Sequence, residues 1–199
     1  MLVYGLILAG GGGRRLGGAD KALLGLGGQS LLDRATARLY PQVHDIALSA
    51  NGDPARFAGF DGPVLGDAGA AGLGPMAGML AGLDWLDAVG GDCLATVAVD
   101  TPFFPCDLVA RLVLVAEQAQ GFAMAECGGR LHPTCGLWPL RMRGPLRNAL
   151  ADGARRIGDW ALAQGAARAV FPVTRPDAFF NINTPDDLAM AEVFVAAEA

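Results

Sequence analysis

The chain opens on an apolar run, Val3 to Leu8, that breaks without a polar residue into the loop Ala9-Gly-Gly-Gly-Gly-Arg-Arg-Leu-Gly-Gly-Ala-Asp20-Lys21. Six glycines stand between positions 10 and 18, and Arg14, Arg15 and Lys21 stand among and after them. Glycine takes φ > 0 without a Cβ clash, so successive backbone N–H groups can converge on one oxyanion while fixed cations neutralise the remaining charge. A strand that runs into such a loop predicts a cradle for a nucleotide's phosphates. With 29 glycines in 199 residues a flexible turn is the plainer alternative. Chance clustering of glycine does not explain three basic residues in an acidic chain.

Counting excludes two better-known phosphate loops. G-x-G-x-x-G fails because Arg15 lies five after Gly10 and Leu16 five after Gly11; G-x-x-x-x-G-K-[ST] fails because Asp20 precedes Lys21. The anion site is of another kind.

The length suits one domain, 1–199, and 52% apolar residues can fill a core, which argues against disorder. Net charge is −5, so no global basic field attracts nucleic acid or an anionic membrane, and an anionic ligand has to be held by a local cluster. The first apolar run has no basic leader and is needed as a strand, and Leu73 to Leu86 is too short to span a bilayer. The chain reads as soluble and cytosolic. Cys93, Cys106, Cys127 and Cys135 contain no C-x-x-C pair, which argues against a zinc knuckle; Cys127, His132 and Cys135 read as reduced thiols and one histidine rather than as metal ligands.

Along the chain, β-branched and apolar runs alternate with longer amphipathic segments, the pattern of an α/β fold around a mostly parallel sheet. Strands are predicted over Val3–Leu8, Asp45–Ser49, Pro63–Leu65, Cys93–Val99, Gly121–Glu126, Pro133–Pro139, Arg168–Pro172 and Phe179–Ile182. Helices are predicted over Ser30–Leu39, Pro54–Phe57, Pro75–Ala88, Cys106–Ala119, Leu140–Leu150, Arg155–Gln164 and Pro185–Ala197, several with Pro or Asp at their starts. The Gly128-Gly129 turn between two strands predicts an antiparallel insertion.

Ligands of open α/β sheets bind outside the carboxyl ends of the strands. Asp100 ends the apolar run Leu94–Val99, where a carboxylate is placed to ligate Mg²⁺ beside substrate phosphates; the alternative is that Asp100 or Thr101 caps the next helix. Asn181 and Asn183 at alternate positions point the same way and can bond a polar ligand, or serve as caps. His132 and the pair Arg155-Arg156 read equally as structural or exposed residues until a reaction is identified.

Taken in order, Leu8-Ala-Gly-Gly, Arg15-Leu-Gly-Gly, Asp20-Lys21, Gly74-Pro-Met-Ala-Gly78, Asp100-Thr-Pro-Phe, His132-Pro-Thr and Phe180-Asn-Ile-Asn-Thr-Pro-Asp resemble the molybdenum cofactor guanylyltransferase family over nearly the whole chain. The resemblance implies a Rossmann-like nucleotidyltransferase fold, mostly parallel with an antiparallel insertion and helices on both faces. It also implies joining of GMP from GTP to molybdopterin with release of pyrophosphate. By it, Leu8, Ala9, Gly10, Gly11, Lys21, Ser49, Asn51, Asp67 and Asp100 bind the nucleotide, with Asp100 holding Mg²⁺. Arg15, Lys21 and Asp100 carry the chemistry, while His132, Arg155, Arg156, Asn181 and Asn183 face the pterin and its phosphate. The nucleotide side falls roughly in 1–105 and the molybdopterin side in 106–199. Transient contact with molybdoenzymes or their chaperones is a further implication; nucleic acid and membrane partners are not. The sequence departs from the family pattern at Ser49, where Asn is common, and at Gly13 and Leu16, where Ser and Met are common.

The implied chemistry is in-line attack of the molybdopterin phosphate on the α-phosphorus, catalysed by positioning and charge neutralisation without a nucleophilic side chain. Three other readings compete. A cytidylyltransferase acting on the same pterin typically reads Leu-Ala-Ala-Gly, whereas Gly10 leaves more room beside a purine. A sugar-phosphate nucleotidyltransferase usually carries Gly-Thr-Arg-Leu in this loop. A non-catalytic adaptor would not need the metal carboxylate.

Overall fold

The computed structural model describes residues 1–9, 20–67 and 74–198. Its elements are β1 (Val3–Leu8), β2 (Gly25–Leu26), β3 (Gln29–Ser30), α1 (Leu31–Leu39), β4 (Ile46–Ser49), β5 (Val64–Leu65), α2 (Pro75–Val89), β6 (Cys93–Ala98), α3 (Leu108–Gln118), β7 (Ala123–Cys127), β8 (Arg130–Pro139), α4 (Arg143–Ala151), α5 (Ile157–Ala163), β9 (Ala167–Phe171) and α6 (Pro185–Glu198). Among the described residues the main sheet has seven strands in the order β5-β4-β1-β6-β8-β7-β9. Neighbours pair in parallel except where β8 runs against β6 and β7, which is the expected antiparallel insertion.

The opening apolar run is central because both of its faces are covered. Tyr4, Leu6 and Leu8 face one core with Met79, Leu83, Leu146 and Trp160 of α2, α4 and α5, while Ile7 faces the other with residues of α1, α3 and α6. Leu6 and Ile7 are fully buried, each worth about 1.5–3 kcal/mol against exposure. Helices therefore lie on both faces of the sheet. No described helix is long and apolar enough to cross a membrane.

Helix α2 comes unusually close to the strands. A Cβ on Gly78 would fall 2.2 Å from Ser49 Oγ, and one on Gly82 would fall 2.5 Å from Leu6 Cδ2. These glycines are four residues apart and share one helix face, so the sheet side of α2 is open backbone where the strands end.

Two features depart furthest from the sequence expectation. The β2–β3 hairpin turns on Gly27 and Gly28, both at positive φ (56° and 78°), the conformation a tight two-residue turn requires. The Gly27-Gly28 pair was the available signal for it. The strand expected over Phe179–Ile182 does not form. Asp177 takes the Phe179 N–H on its carboxylate and the Phe180 N–H on its carbonyl, which uses two amides locally, and only Ile182 N–H reaches the end of β6, at Asp100 C=O (2.9 Å). The chain then turns into α6, closed by a reciprocal cap in which Thr184 Oγ1 accepts from Asp187 N–H and Asp187 Oδ2 accepts from Thr184 N–H.

Candidate active site

Register brings the ends of three parallel strands level, with Leu8 opposite both Ser49 and Ala98. Strand β8 enters at the same edge because it runs the other way. Its ladder jumps from Met124–Gly136 to Ala125–His132, so residues 133–135 bulge and Thr134 reaches the site. The strand ends enclose a cavity of about 190 Å³ whose wall includes Leu8, Ala9, Lys21, Asp100, Thr134 and Asn181.

Lys21 begins a short 3₁₀ turn, Lys21–Leu23, capped by Asp20, whose Oδ1 accepts from Ala22 N–H (3.2 Å). The lysine Nζ donates to Asp100 Oδ2 and to Asn183 Oδ1, both at 2.8 Å. The pair is shielded but open to a ligand, with Lys21 12% and Asp100 23% exposed. Thr101 is buried beneath it, and its hydroxyl lies 2.6 Å from Asn181 Oδ1 and 3.3 Å from Asp100 Oδ1. Lys21, Asp100, Asn181 and Asn183, chosen separately from the sequence, thus meet at one point.

A second group forms at the ends of β4 and β5. Asn51 Nδ2 donates to Asp67 Oδ2 (2.6 Å), and Asp67 N–H returns a bond to Asn51 Oδ1 (3.0 Å). Arg56 donates to Asn51 C=O and pairs through Nε with Asp20 Oδ2 at 3.0 Å, tying this group to the residue before Lys21. Ser49 is 2% exposed and faces Gly78 of α2. Gly10, Gly11 and Arg15 lie outside the described residues.

Beyond Pro75 and Thr134, which line both spaces, lies a hollow of about 330 Å³ bordered by Arg155, Arg156 and Gly158. Arg155 donates to the carbonyls of Ala154 (2.7 Å) and Leu150 (3.3 Å). Arg156 meets Asp159 only at 3.6 Å with both side chains mostly exposed, too weak a pair to hold it. The two arginines line the hollow together with the Asp159 carboxylate.

His132 is not in these walls. It is buried and stacked on Phe179, with ring centroids 4.4 Å apart, and burial followed by the Arg130 charge holds its imidazole below the usual value. Cys135, also buried, has its thiol pushed up to about 12 by desolvation, so it stays protonated and offers no nucleophile. Sequence reasoning missed Arg56, Thr101 and Thr134. Thr101 and Thr134 stood within motifs already singled out, whereas nothing in the sequence says which carboxylate a lone arginine in a short turn will meet.

A mostly parallel sheet with one reversed strand, and a lysine–carboxylate pair beside the ends of its central strands, agree with the family comparison, which makes the chain a nucleotidyltransferase. Residues 5–168 match the MobA-like NTP transferase domain. The chain is 53% identical over 199 residues to a molybdenum cofactor guanylyltransferase of Cereibacter sphaeroides, with 100% of each covered. A second such enzyme, from Mesorhizobium japonicum, is 48% identical over 196 residues, covering 95% of this chain and 94% of the relative. Among solved structures, molybdopterin-guanine dinucleotide biosynthesis protein A from Archaeoglobus fulgidus shares the fold, with a TM-score of 0.77 at 22% identity over 98% of this chain and 99% of that one. The chain belongs to the molybdenum cofactor guanylyltransferase family, within the MobA-like NTP transferases.

Proposed function

We infer that this chain transfers GMP from GTP to the phosphate of molybdopterin, releasing pyrophosphate, and that the transfer takes place where the two spaces meet. The observation that carries this reading is the shared wall. The cavity holding Lys21 and Asp100 and the hollow beside Arg155 and Arg156 share Pro75 and Thr134 in their walls, and in this reading each takes one of the two anions.

In this reading Leu8 and Ala9 back the nucleotide, Asn51 and Asp67 hold its base and ribose end, and Lys21, with Arg15 and the backbone of Gly10 and Gly11, takes the triphosphate. Ser49 serves from behind by keeping α2 close. Arg155, Arg156 and Asn181 receive the pterin phosphate, and His132 supports the segment 179–183 from below. Opposed anions repel, so fixed cations on both sides lower the cost of bringing the phosphate oxygen to the α-phosphorus.

The donor set suits Mg²⁺. Among the described residues no three His, Cys, Asp or Glu side chains gather, so a divalent ion would take Asp100 as its protein carboxylate and complete its shell with phosphate oxygens and water, the usual manner of Mg²⁺. The chemistry such an ion supplies is neutralisation of charge on the triphosphate. The reading sets the reaction in the cytoplasm and includes transient contact with molybdoenzymes or their chaperones that take the product.

Incubation of the protein with Mg²⁺, molybdopterin and either GTP or CTP tests it. Pyrophosphate and a guanine dinucleotide are expected with GTP. Faster turnover of CTP would replace the reading by its nearest rival, and no pyrophosphate from either would end it.

A further inference from the structure

Two oxygens hold the Lys21 ammonium, and they come from distant parts of the chain. Asp100 Oδ2 lies at the end of β6; Asn183 Oδ1, also 2.8 Å away, lies 162 residues beyond Lys21 in sequence. An ammonium only donates, so the Asn183 amide turns its oxygen to the lysine and keeps its Nδ2–H pair for something else. Among the described residues nothing accepts from that pair.

The backbone that carries Asn183 is anchored on both sides. Ile182 N–H donates to Asp100 C=O (2.9 Å), and the N–H groups of Asn183 and Thr184 both donate to Asp187 Oδ2 (2.9 and 2.8 Å). The bonds from Asn183 foremost and from Thr184 hold the Asp187 carboxyl below its usual value. A flexible four-carbon stem ending on such an anchor has lost much of its freedom before a ligand arrives, which is preorganisation.

We propose that Asn183 is a positioning residue for Lys21: it sets the ammonium for the triphosphate from the acceptor side of the molecule and leaves its own N–H pair to an anion of the second substrate. The proposal rests on the nucleotide-binding reading of Lys21 given above. It moves Asn183 from a pterin contact alone to a link between the two halves of the site.

The test is a double-mutant cycle read by calorimetric titration of GTP with Mg²⁺ and no molybdopterin, on the wild type, Asn183→Ala, Lys21→Ala and the double variant. Asn183→Ala should weaken GTP binding about five- to tenfold and Lys21→Ala further. The double variant should bind no more weakly than Lys21→Ala, since an interaction made through the lysine vanishes with it. Asn183→Ser, too short to span the gap, should repeat the alanine result, and because Asn183 is exposed and its Asp187 bond is a backbone one, the variants keep the fold. GTP affinity unchanged in Asn183→Ala, or losses that add, would overturn the inference while leaving the proposed function standing. A wild type that binds no GTP would overturn both.

Discussion

Lys21 and Asp100 each need the other. Both are largely withdrawn from water, and removing one partner of such a pair strands a charge in a place with little solvent to receive it. Asp100→Asn keeps the shape and hydrogen-bonding reach of the side chain but removes its charge, so Lys21 loses an ionic acceptor and, on the proposed function, Mg²⁺ loses its protein carboxylate. Turnover should fall by about 10²–10³-fold, the scale of a lost electrostatic contribution to phosphoryl chemistry, with nucleotide still bound. Formation of the dinucleotide by Asp100→Asn at the wild-type rate would favour a binding role over catalysis. The residue scale is also where the sequence was most informative. Lys21 could be chosen as a cation closing the glycine loop after β1, and Asp100 because it follows an apolar strand, where ligands sit. Arg56 could not, because its partners Asp20 and Asn51 become neighbours only when two strand-end loops fold side by side.

At the scale of elements, the approach of α2 to the sheet is the tightest constraint. Gly78→Ala would drive a Cβ into Ser49 Oγ, with Leu8 Cδ2 at 3.2 Å behind it, so the helix would have to lift from β1 and β4. The expected cost is about 1–3 kcal/mol, the usual range for overpacking, measured as a lower urea midpoint with an unchanged slope. Stability equal to the wild type would show that the helix yields there. Most elements could be read from period and punctuation: β1 is recovered to the residue, and α1 and α2 to within one. The exceptions have local causes. The segment 179–182 has the apolar and alternating look of a strand, yet Asp177 takes the amides of Phe179 and Phe180 locally and the Ile182 amide goes to Asp100 C=O just past β6. The expected helix over Leu140–Leu150 begins as a 3₁₀ turn, Leu140–Met142, directly after β8.

For the whole molecule, the site joins residues on β1, β6, the bulge of β8 and the entrance to α6, so nucleotide binding should tighten the entire fold. GTP with Mg²⁺ at a hundred times its dissociation constant should add about 2.7 kcal/mol to unfolding, or roughly 5–10 °C in melting temperature for a chain of this size. CTP at the same concentration should do less, and a melting curve indifferent to GTP would contradict the assignment. That the two cavities share Pro75 and Thr134 was not legible in sequence, since it depends on how a β-bulge aims one threonine.

The clamp on Lys21 also carries a history. A ribosome delivers the chain from its first residue onward at roughly 5–20 residues per second, so the 162 residues between Lys21 and Asn183 separate the two by about 8–32 seconds. Every strand of the sheet after β1 emerges in that interval, Asp100 arrives about midway through it, and from then on the lysine waits for its second acceptor. Asn183 is thus the last ligand to reach the ammonium. The same late segment brings Phe179, Ile182 and Ala191 into the core, so the grip on the ammonium and the last piece of the core are completed together.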